Sequence, residues 1–236
     1  MIPNIVHLTY SRDLLDSSSV SPADLALSLN VLENLKKVPN TTVFFWTDSD
    51  CVREMRSLSL PFQRSLLRTF MREKRGEIRG DICRGVALYK MGGWYIDVDV
   101  EATRDFRALS ERMREREECT LLTVVPAYQP DTTYFQAIMG VAHPRDPTIH
   151  RYLNLFTTHR PRYSTENTGT LLLRQASEYT RASVYLLMEE RGPMIFQGKR
   201  TRWSPTSREW CDNVVYDPAY QDLWFYSRFP KSRKCM

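Results

Sequence analysis

The feature that most constrains this chain is the alternation of apolar extended runs with helical patterns over its first hundred residues. Ile5-Val6-His7-Leu8 reads as a strand. After a Ser-rich loop, Ser21-Pro22-Ala23-Asp24 supplies a capping serine, a first-turn proline and an acidic residue ahead of Leu25, Leu29, Leu32 and Leu35, whose spacing is that of an amphipathic helix. Pro39-Asn40 breaks it, and the β-branched and aromatic run Thr42-Val43-Phe44-Phe45-Trp46 reads as a central, buried strand ending at Thr47-Asp48-Ser49-Asp50. Helical pattern fills most of the stretch from Cys51 to Lys90, interrupted near Pro61 and Gly76, until Gly92-Gly93 stops it and Trp94 to Val100 extends. Repeated strand-helix units predict an α/β fold: a Rossmann-like, mostly parallel sheet with helices on both faces, binding ligands beyond the carboxyl ends of its strands. Asp48 and Asp99 fall at such ends.

The last of these strands carries the chemistry. Asp97 and Asp99 stand two apart in the apolar run Ile96-Asp97-Val98-Asp99-Val100, so an extended backbone projects both to one side. Two carboxylates on one face repel each other, and such a pair persists at neutral pH where a cation, with phosphate oxygens completing its shell, neutralises both. Just before it, Asp81 and Arg84 form an i,i+3 pair read as lying near a helix start, where helix-dipole complementation and a weak ion pair are a sufficient explanation.

With 236 residues, 42% hydrophobic and 26% charged, the chain supports one sizeable core, read as a single domain over 1–236. No window approaches the ~20 apolar residues of a membrane span, and no charged n-region opens the chain. The five cysteines are odd in number, widely spaced and lack a C-x-x-C pair, which favours reduced thiols and a cytoplasmic protein. Neither they nor the four histidines have zinc spacing. The net charge of +5 gathers around Arg64, Arg68, Arg72, Lys74, Arg75, Arg79 and Arg84, interleaved with Leu66, Leu67, Phe70 and Met71 at helical spacing. That pattern is the wet face of amphipathic helices, not a nucleic-acid surface, and the excess suits an anionic small molecule. In the second half, a charged helix is expected from about Arg104 to Glu118, strands at Leu121 to Val125 and Tyr134 to Val141, and helices at Thr148 to Thr157 and Gly169 to Tyr179. Beyond Gly192-Pro193 the periodicity is lost, which reads as loops and short strands.

Together, Ile2-Pro3-Asn4-Ile5-Val6-His7-Leu8-Thr9-Tyr10, Phe45-Trp46-Thr47-Asp48, Asp81-Ile82-Cys83-Arg84 and Gly92-Gly93-Trp94-Tyr95-Ile96-Asp97-Val98-Asp99 resemble glycosyltransferase family 32, the sugar-binding region family containing the DXD motif, with a more distant similarity to glucosylating toxins. The resemblance implies a GT-A fold, a nucleotide-sugar donor (a UDP- or GDP-sugar), a divalent metal with Mn²⁺ favoured over Mg²⁺, and transfer of a hexose-type sugar with retention at the anomeric carbon. Residues 1–103 would then form the nucleotide-sugar-binding half and 104–236 an irregular acceptor-side half. By the same resemblance Asp81 accepts donor-sugar hydroxyls, Arg84 binds sugar or phosphate oxygens, Asp99 ligates the metal directly, and Asp97 contacts the sugar or ribose, and the metal through water. Tyr95 stands beside the donor, while His7, Thr9 and Tyr10 resemble nucleotide-pocket positions, His7 being equally readable as a core histidine. Asp48 is the nucleotide contact at the second strand's mouth, and Trp46 serves as core or pocket wall.

Relatives commonly supply a further metal or phosphate contact late in the chain, where this sequence offers Ser204 near Trp203, Asp212, Asn213 or Asp217 without choosing among them. The acceptor is expected to be a glycan, a lipid-linked hydroxyl or a protein, with neither nucleic acid nor an integral membrane segment involved. The expected compartment is the cytoplasm, that of a host for a virally encoded relative. Two other classes share the paired aspartates: a metal-dependent nucleotide-sugar hydrolase or nucleotidyltransferase, and a non-catalytic glycan- or nucleotide-binding module.

Overall fold

The computed structural model describes residues 1–158 apart from Ser19 and Glu117, residues 168–191 and 213–227, and four two-residue strands between them. Strands β1 (Ile5–Thr9), β2 (Thr42–Trp46) and β3 (Gly93–Ile96) alternate with helices α1 (Leu25–Lys36), α2 (Asp48–Ser57), α3 (Gln63–Arg72) and α4 (Gly76–Met91). There follow β4 (Val100–Ala102), a 3₁₀ turn at Phe106–Ala108, α5 (Leu109–Glu115), β5 (Leu121–Val125), β6 (Phe135–Val141), α6 (Pro147–Thr158), α7 (Thr168–Thr180) and β7 (Val184–Arg191). The short strands β8 (Ile195–Phe196), β9 (Lys199–Arg200), β10 (Trp203–Ser204) and β11 (Glu209–Trp210) form two small hairpins, and β12 (Asn213–Asp217) and β13 (Asp222–Ser227) close the fold.

Nine strands make one sheet in the order β2-β1-β3-β6-β5-β7-β12-β13-β4. The first three are parallel, as the alternation predicts, and so are β5 and β7. The remaining five pairings are antiparallel, so the sheet is mixed rather than mostly parallel. Strands β3 and β4 stand third and ninth in that order, yet only residues 97–99 separate them. Six strand spacings across a flat sheet would be about 29 Å, whereas the chain from Ile96 to Val100 reaches no more than about 14 Å. The sheet must therefore curl until its far edge returns beside β3, and the Asp97-Val98-Asp99 segment is the stitch that joins the two.

Side chains alternate along β3. Tyr95 faces a core of α2, α3, α4, α6 and α7 that includes Met55, Phe70, Ile82 and Leu153, while Trp94 and Ile96 face a second core with α1, α5 and the 3₁₀ turn that includes Val31, Phe106 and Phe225. Helix α4 is buried on nearly every side from Asp81 to Leu88, and a Cβ at Gly85 would stand 2.8 Å from Leu153, so the glycine permits close approach of α6. Gly92 (φ +64°) and Gly93 (φ +96°) turn the chain out of α4, as expected; a Cβ on Gly93 would lie 2.8 Å from the Ile5 carbonyl oxygen.

Several expectations are corrected. Strand β2 is the sheet's edge among the described residues, with Phe44 38% exposed, rather than central. The leucine stripe of α1 faces outward: Leu25 and Leu29 are each 53% exposed and Leu32 42%, whereas Ser28, Val31 and Asn34 are buried. The reason is polar. Asn34 donates to the Val100 carbonyl (2.6 Å) and accepts from the Ala102 N–H (2.8 Å), and Asn30 donates to the carbonyls of Val98 and Val100, so α1 serves as a hydrogen-bonding flank for β4. Ser21 does not cap α1; its hydroxyl donates to Asp24, the residue preceding the helix. The charged helix of the second half shrinks to α5 behind its 3₁₀ turn. Cys51 and Cys83 form a disulfide between α2 and α4 with Cα atoms 5.5 Å apart, which overturns the expectation of five free thiols.

Candidate active site

A cavity of about 460 Å³ opens at the carboxyl ends of the three parallel strands. Thr9, Tyr10 and Ser11 approach it after β1, Trp46 and Asp48 at the end of β2, and Asp97 to Asp99 after β3; Gly76, Glu77, Gly80, Cys83 and Arg84 of α4 and Leu27 of α1 complete the wall. Thr9, Tyr10, Asp48, Arg84, Asp97 and Asp99 thus line one space. Asp97 and Asp99 belong to a turn rather than a strand, because β3 ends at Ile96 and the Val100 N–H closes back onto the Asp97 carbonyl at 3.1 Å. The turn still brings both carboxylates to the cavity wall.

Arg84 is the centre of the site. Its Nη2 lies 3.2 Å from Asp81 Oδ1 and 3.2 Å from Asp97 Oδ1, its Nη1 donates to the Gln136 carbonyl at 2.6 Å, and its guanidinium stands 4.4 Å over the ring of Tyr95. Burial opposes its charge, but the negative charge of Asp97, and after it that of Asp81, more than offsets this and holds it protonated. The Nε–H is buried without a protein partner among the described residues.

The Tyr95 hydroxyl donates to Asp97 Oδ1 at 2.6 Å, which commits its proton and makes the Thr9 hydroxyl the donor in their 2.8 Å contact. Asp97 Oδ1 is therefore held from two sides by Tyr95 and Arg84, leaving Oδ2 without a protein partner among the described residues. The Asp99 carboxyl is pushed up to about 7, first by burial and then by the charge of Asp97. This unrelieved repulsion between two hard oxygen donors is what a divalent cation such as Mn²⁺ or Mg²⁺ would remove, so the pair fits one. Among the described residues no three His, Cys, Asp or Glu side chains cluster as a metal site.

Three predicted residues stand behind the cavity instead of lining it. Asp81 is buried inside α4, not near its start, and its Oδ1 accepts from Gln136 Nε2 at 2.6 Å in addition to the Arg84 contact. Burial raises its carboxyl to about 6 despite Arg84. Tyr95 is fully buried and meets the cavity wall through its contacts with Asp97, Thr9 and Arg84. His7 is a core histidine: it is fully buried, its Nε2–H donates to the Gly92 carbonyl at 2.8 Å, and its Nδ1 accepts from Trp46 Nε1 at 3.2 Å. Desolvation lowers it to about 4, so the ring is neutral and both nitrogens are occupied, which corrects its assignment to the nucleotide pocket.

Gln136, Tyr152 and Gly169 escaped sequence reasoning. The Tyr152 hydroxyl donates to Gln136 Oε1 at 2.6 Å, and Gly169 at the start of α7 abuts Asp81 and Gln136. The signals in the sequence were a lone glutamine within the apolar run Phe135 to Val141 and the glycine of Thr168-Gly169-Thr170. Of the late-chain candidates, Asp217 is consumed by Arg112 (2.8 Å) and Tyr185 (2.5 Å), and Asn213 by Glu189 (3.1 Å). Neither lines the cavity, while Asp212 and the side chains of Ser204 and Trp203 lie outside the described residues.

A curled mixed sheet with helices on both faces, and a D-x-D turn at the mouth of its parallel strands, defines a fold of GT-A type. Residues 27–118 match the family described as glycosyltransferase sugar-binding region containing DXD motif. Among solved structures, the PaToxG glycosyltransferase superposes with a TM-score of 0.50 at 13% identity, covering 76% of this chain and 69% of that one. A transferase solved as a double cysteine-to-serine mutant gives a TM-score of 0.39 at 11% identity, covering 77% of this chain and 86% of that one. No curated protein matches the chain.

Proposed function

We propose that the chain is a metal-dependent glycosyltransferase that moves a hexose-type sugar from a UDP- or GDP-sugar to a hydroxyl of a glycan, lipid-linked or protein acceptor, with retention of anomeric configuration. The observation that carries this reading is the convergence of Asp97, Asp99 and Arg84 on one cavity. Two carboxylates for a cation and a cation for phosphate or sugar oxygens are thereby placed side by side.

Asp97 and Asp99 would hold Mn²⁺ or Mg²⁺, which when bound offsets the charge developing on the departing diphosphate. Arg84, which lines the cavity, is the donor to phosphate or sugar oxygens. Asp81 acts through Arg84: it holds the guanidinium in place from the protein side, with Gln136 and Tyr152 behind it. Thr9 and Tyr95 fix the rotamer of Asp97 in the same way. Tyr10, Trp46, Asp48 and Leu27 also line the cavity and are the nucleotide contacts in this reading.

Among the described residues, Asp97, Asp99, Glu77 and Asp48 are the carboxylates on the cavity wall, and Asp48 is already ion-paired with Arg79 at 2.5 Å, so none is assigned as a nucleophile. Front-face transfer suits this wall. The acceptor oxygen bonds to the anomeric carbon on the side from which the diphosphate oxygen leaves, and the acceptor proton passes to that oxygen. Among the described residues no helix is long and apolar enough to cross a membrane.

The test is a thermal-shift screen of nucleotide sugars with and without Mn²⁺, followed by product analysis. A donor at a hundred times its Kd should stabilise the fold by about 2.7 kcal/mol, and only with metal present. Absence of any metal-dependent shift would remove the donor site. Free sugar released with no transfer to any acceptor would convert the reading to a hydrolase, and an inverted product anomer by NMR would remove the front-face mechanism.

A further inference from the structure

Between Met55 and Gly76 the sequence holds six cations, Arg56, Arg64, Arg68, Arg72, Lys74 and Arg75, against a single carboxylate, Glu73. Glu73 is already engaged by the Arg75 guanidinium at 3.1 Å and by the backbone N–H groups of Lys74 and Arg75, each at 2.9 Å. The nearby carboxylates Asp48 and Asp50 are likewise taken, by Arg79 and Arg53. Arg56, Arg64, Arg68, Arg72 and Lys74 are all exposed, and among the described residues none is ion-paired.

Helix geometry gathers three of them. α3 buries Leu66 and Phe70 in the core, so the opposite side presents Arg64, Arg68 and Arg72 one turn apart, as a ridge about 12 Å long. Met71 flanks that ridge and is 63% exposed. A groove between α2, α3 and α4 runs from Met71 and Arg56 to Asp48, which also lines the donor cavity. The positive face and the candidate active site therefore open on adjoining surface.

We propose that this face of α3 docks on the headgroups of an anionic lipid bilayer. A convex ridge of unpaired guanidinium groups beside a bare methionine suits a planar anionic surface: the arginines reach lipid phosphates while the thioether enters the interface. Duplex nucleic acid would call for a recognition element entering a groove, and single strands for aromatic side chains that stack bases; the exposed side of α3 offers neither. If the glycosyltransferase reading holds, docking sets the donor cavity beside a membrane-borne acceptor, but the docking itself is independent of that reading.

The experiment is sedimentation of the full chain with phosphatidylcholine vesicles, with and without about one-third phosphatidylserine. Binding is expected to the anionic vesicles alone and to fade as salt shortens the screening length. Each arginine near the surface contributes about fivefold, so Arg64→Gln, Arg68→Gln and Arg72→Gln together should weaken binding about a hundredfold, with the melting temperature and the donor-induced shift unchanged. Met71→Glu, which leaves the ridge intact, should weaken it as well. Equal binding to neutral vesicles, no binding to either, or a triple variant that binds like the parent would overturn the proposal. So would tighter binding to duplex DNA than to anionic vesicles, which would assign the face to nucleic acid.

Discussion

Replacing Gly169 with alanine drives a methyl group into the carboxylate of Asp81 and the amide of Gln136, within 2.5 Å of Asp81 Cγ. Neither neighbour can step aside. Gln136 is fixed by Tyr152 at 2.6 Å, Asp81 by Arg84 at 3.2 Å, and both side chains are buried. Overpacking of this kind costs about 1–3 kcal/mol. Breaking the 2.6 Å Gln136–Asp81 bond to relieve it leaves buried polar groups unsatisfied, for about 1–3 kcal/mol more. The helix propensity of alanine over glycine returns about 1 kcal/mol. The expected net loss is about 3 kcal/mol, which for a chain of this size lowers the melting temperature by roughly 6–12 °C. Gly76→Ala supplies the control, since nothing lies within 4 Å of a Cβ there. Chemical denaturation of both variants, alone and in an Asp81→Ala background, reads the effect. If the clash is with Asp81, the cost of Gly169→Ala shrinks when that side chain is removed. A Gly169→Ala protein as stable as the parent, or a cost identical in both backgrounds, would refute the buried network behind Arg84.

The remaining expectations concern charge and anchoring. Asp99→Ala should abolish transfer while leaving the metal-free protein as stable as the parent or more so, because burial and Asp97 already disfavour its charge; activity assays beside thermal melts check both halves. His7, lowered to about 4, binds fewer protons folded than unfolded, so its contribution is fully present above about pH 6.5 and is lost as pH falls toward 4, by up to about 3 kcal/mol. His7→Gln should flatten that part of the stability profile in denaturation between pH 7 and 4. Asn34→Ala strands the Ala102 N–H and weakens the hold on Val100, so a loss of about 2–4 kcal/mol is expected, with weaker metal-dependent donor binding because β4 anchors the turn that carries Asp97 and Asp99.

Local chemistry made much of this protein legible from its residues alone. The β1-α1-β2 alternation, the glycine stop after α4, the strands β5 and β6 and the helices α6 and α7 follow from periodicity and backbone preference, which act over a few residues. The D-x-D pair and Arg84 announced themselves because charge in an apolar run has few uses. What the tertiary structure decided is long-range. No local pattern reveals that β4 crosses to the ninth position of the sheet, since its partner strand β13 comes over a hundred residues later. For the same reason Leu25, Leu29 and Leu32 of α1 turn outward in favour of Asn34, and Cys51 meets Cys83. Burial, too, is a property of the assembled core. It makes His7 a neutral structural residue and sets Asp81 behind Arg84 with Gln136, Tyr152 and Gly169, partners that only folding brings within hydrogen-bond reach.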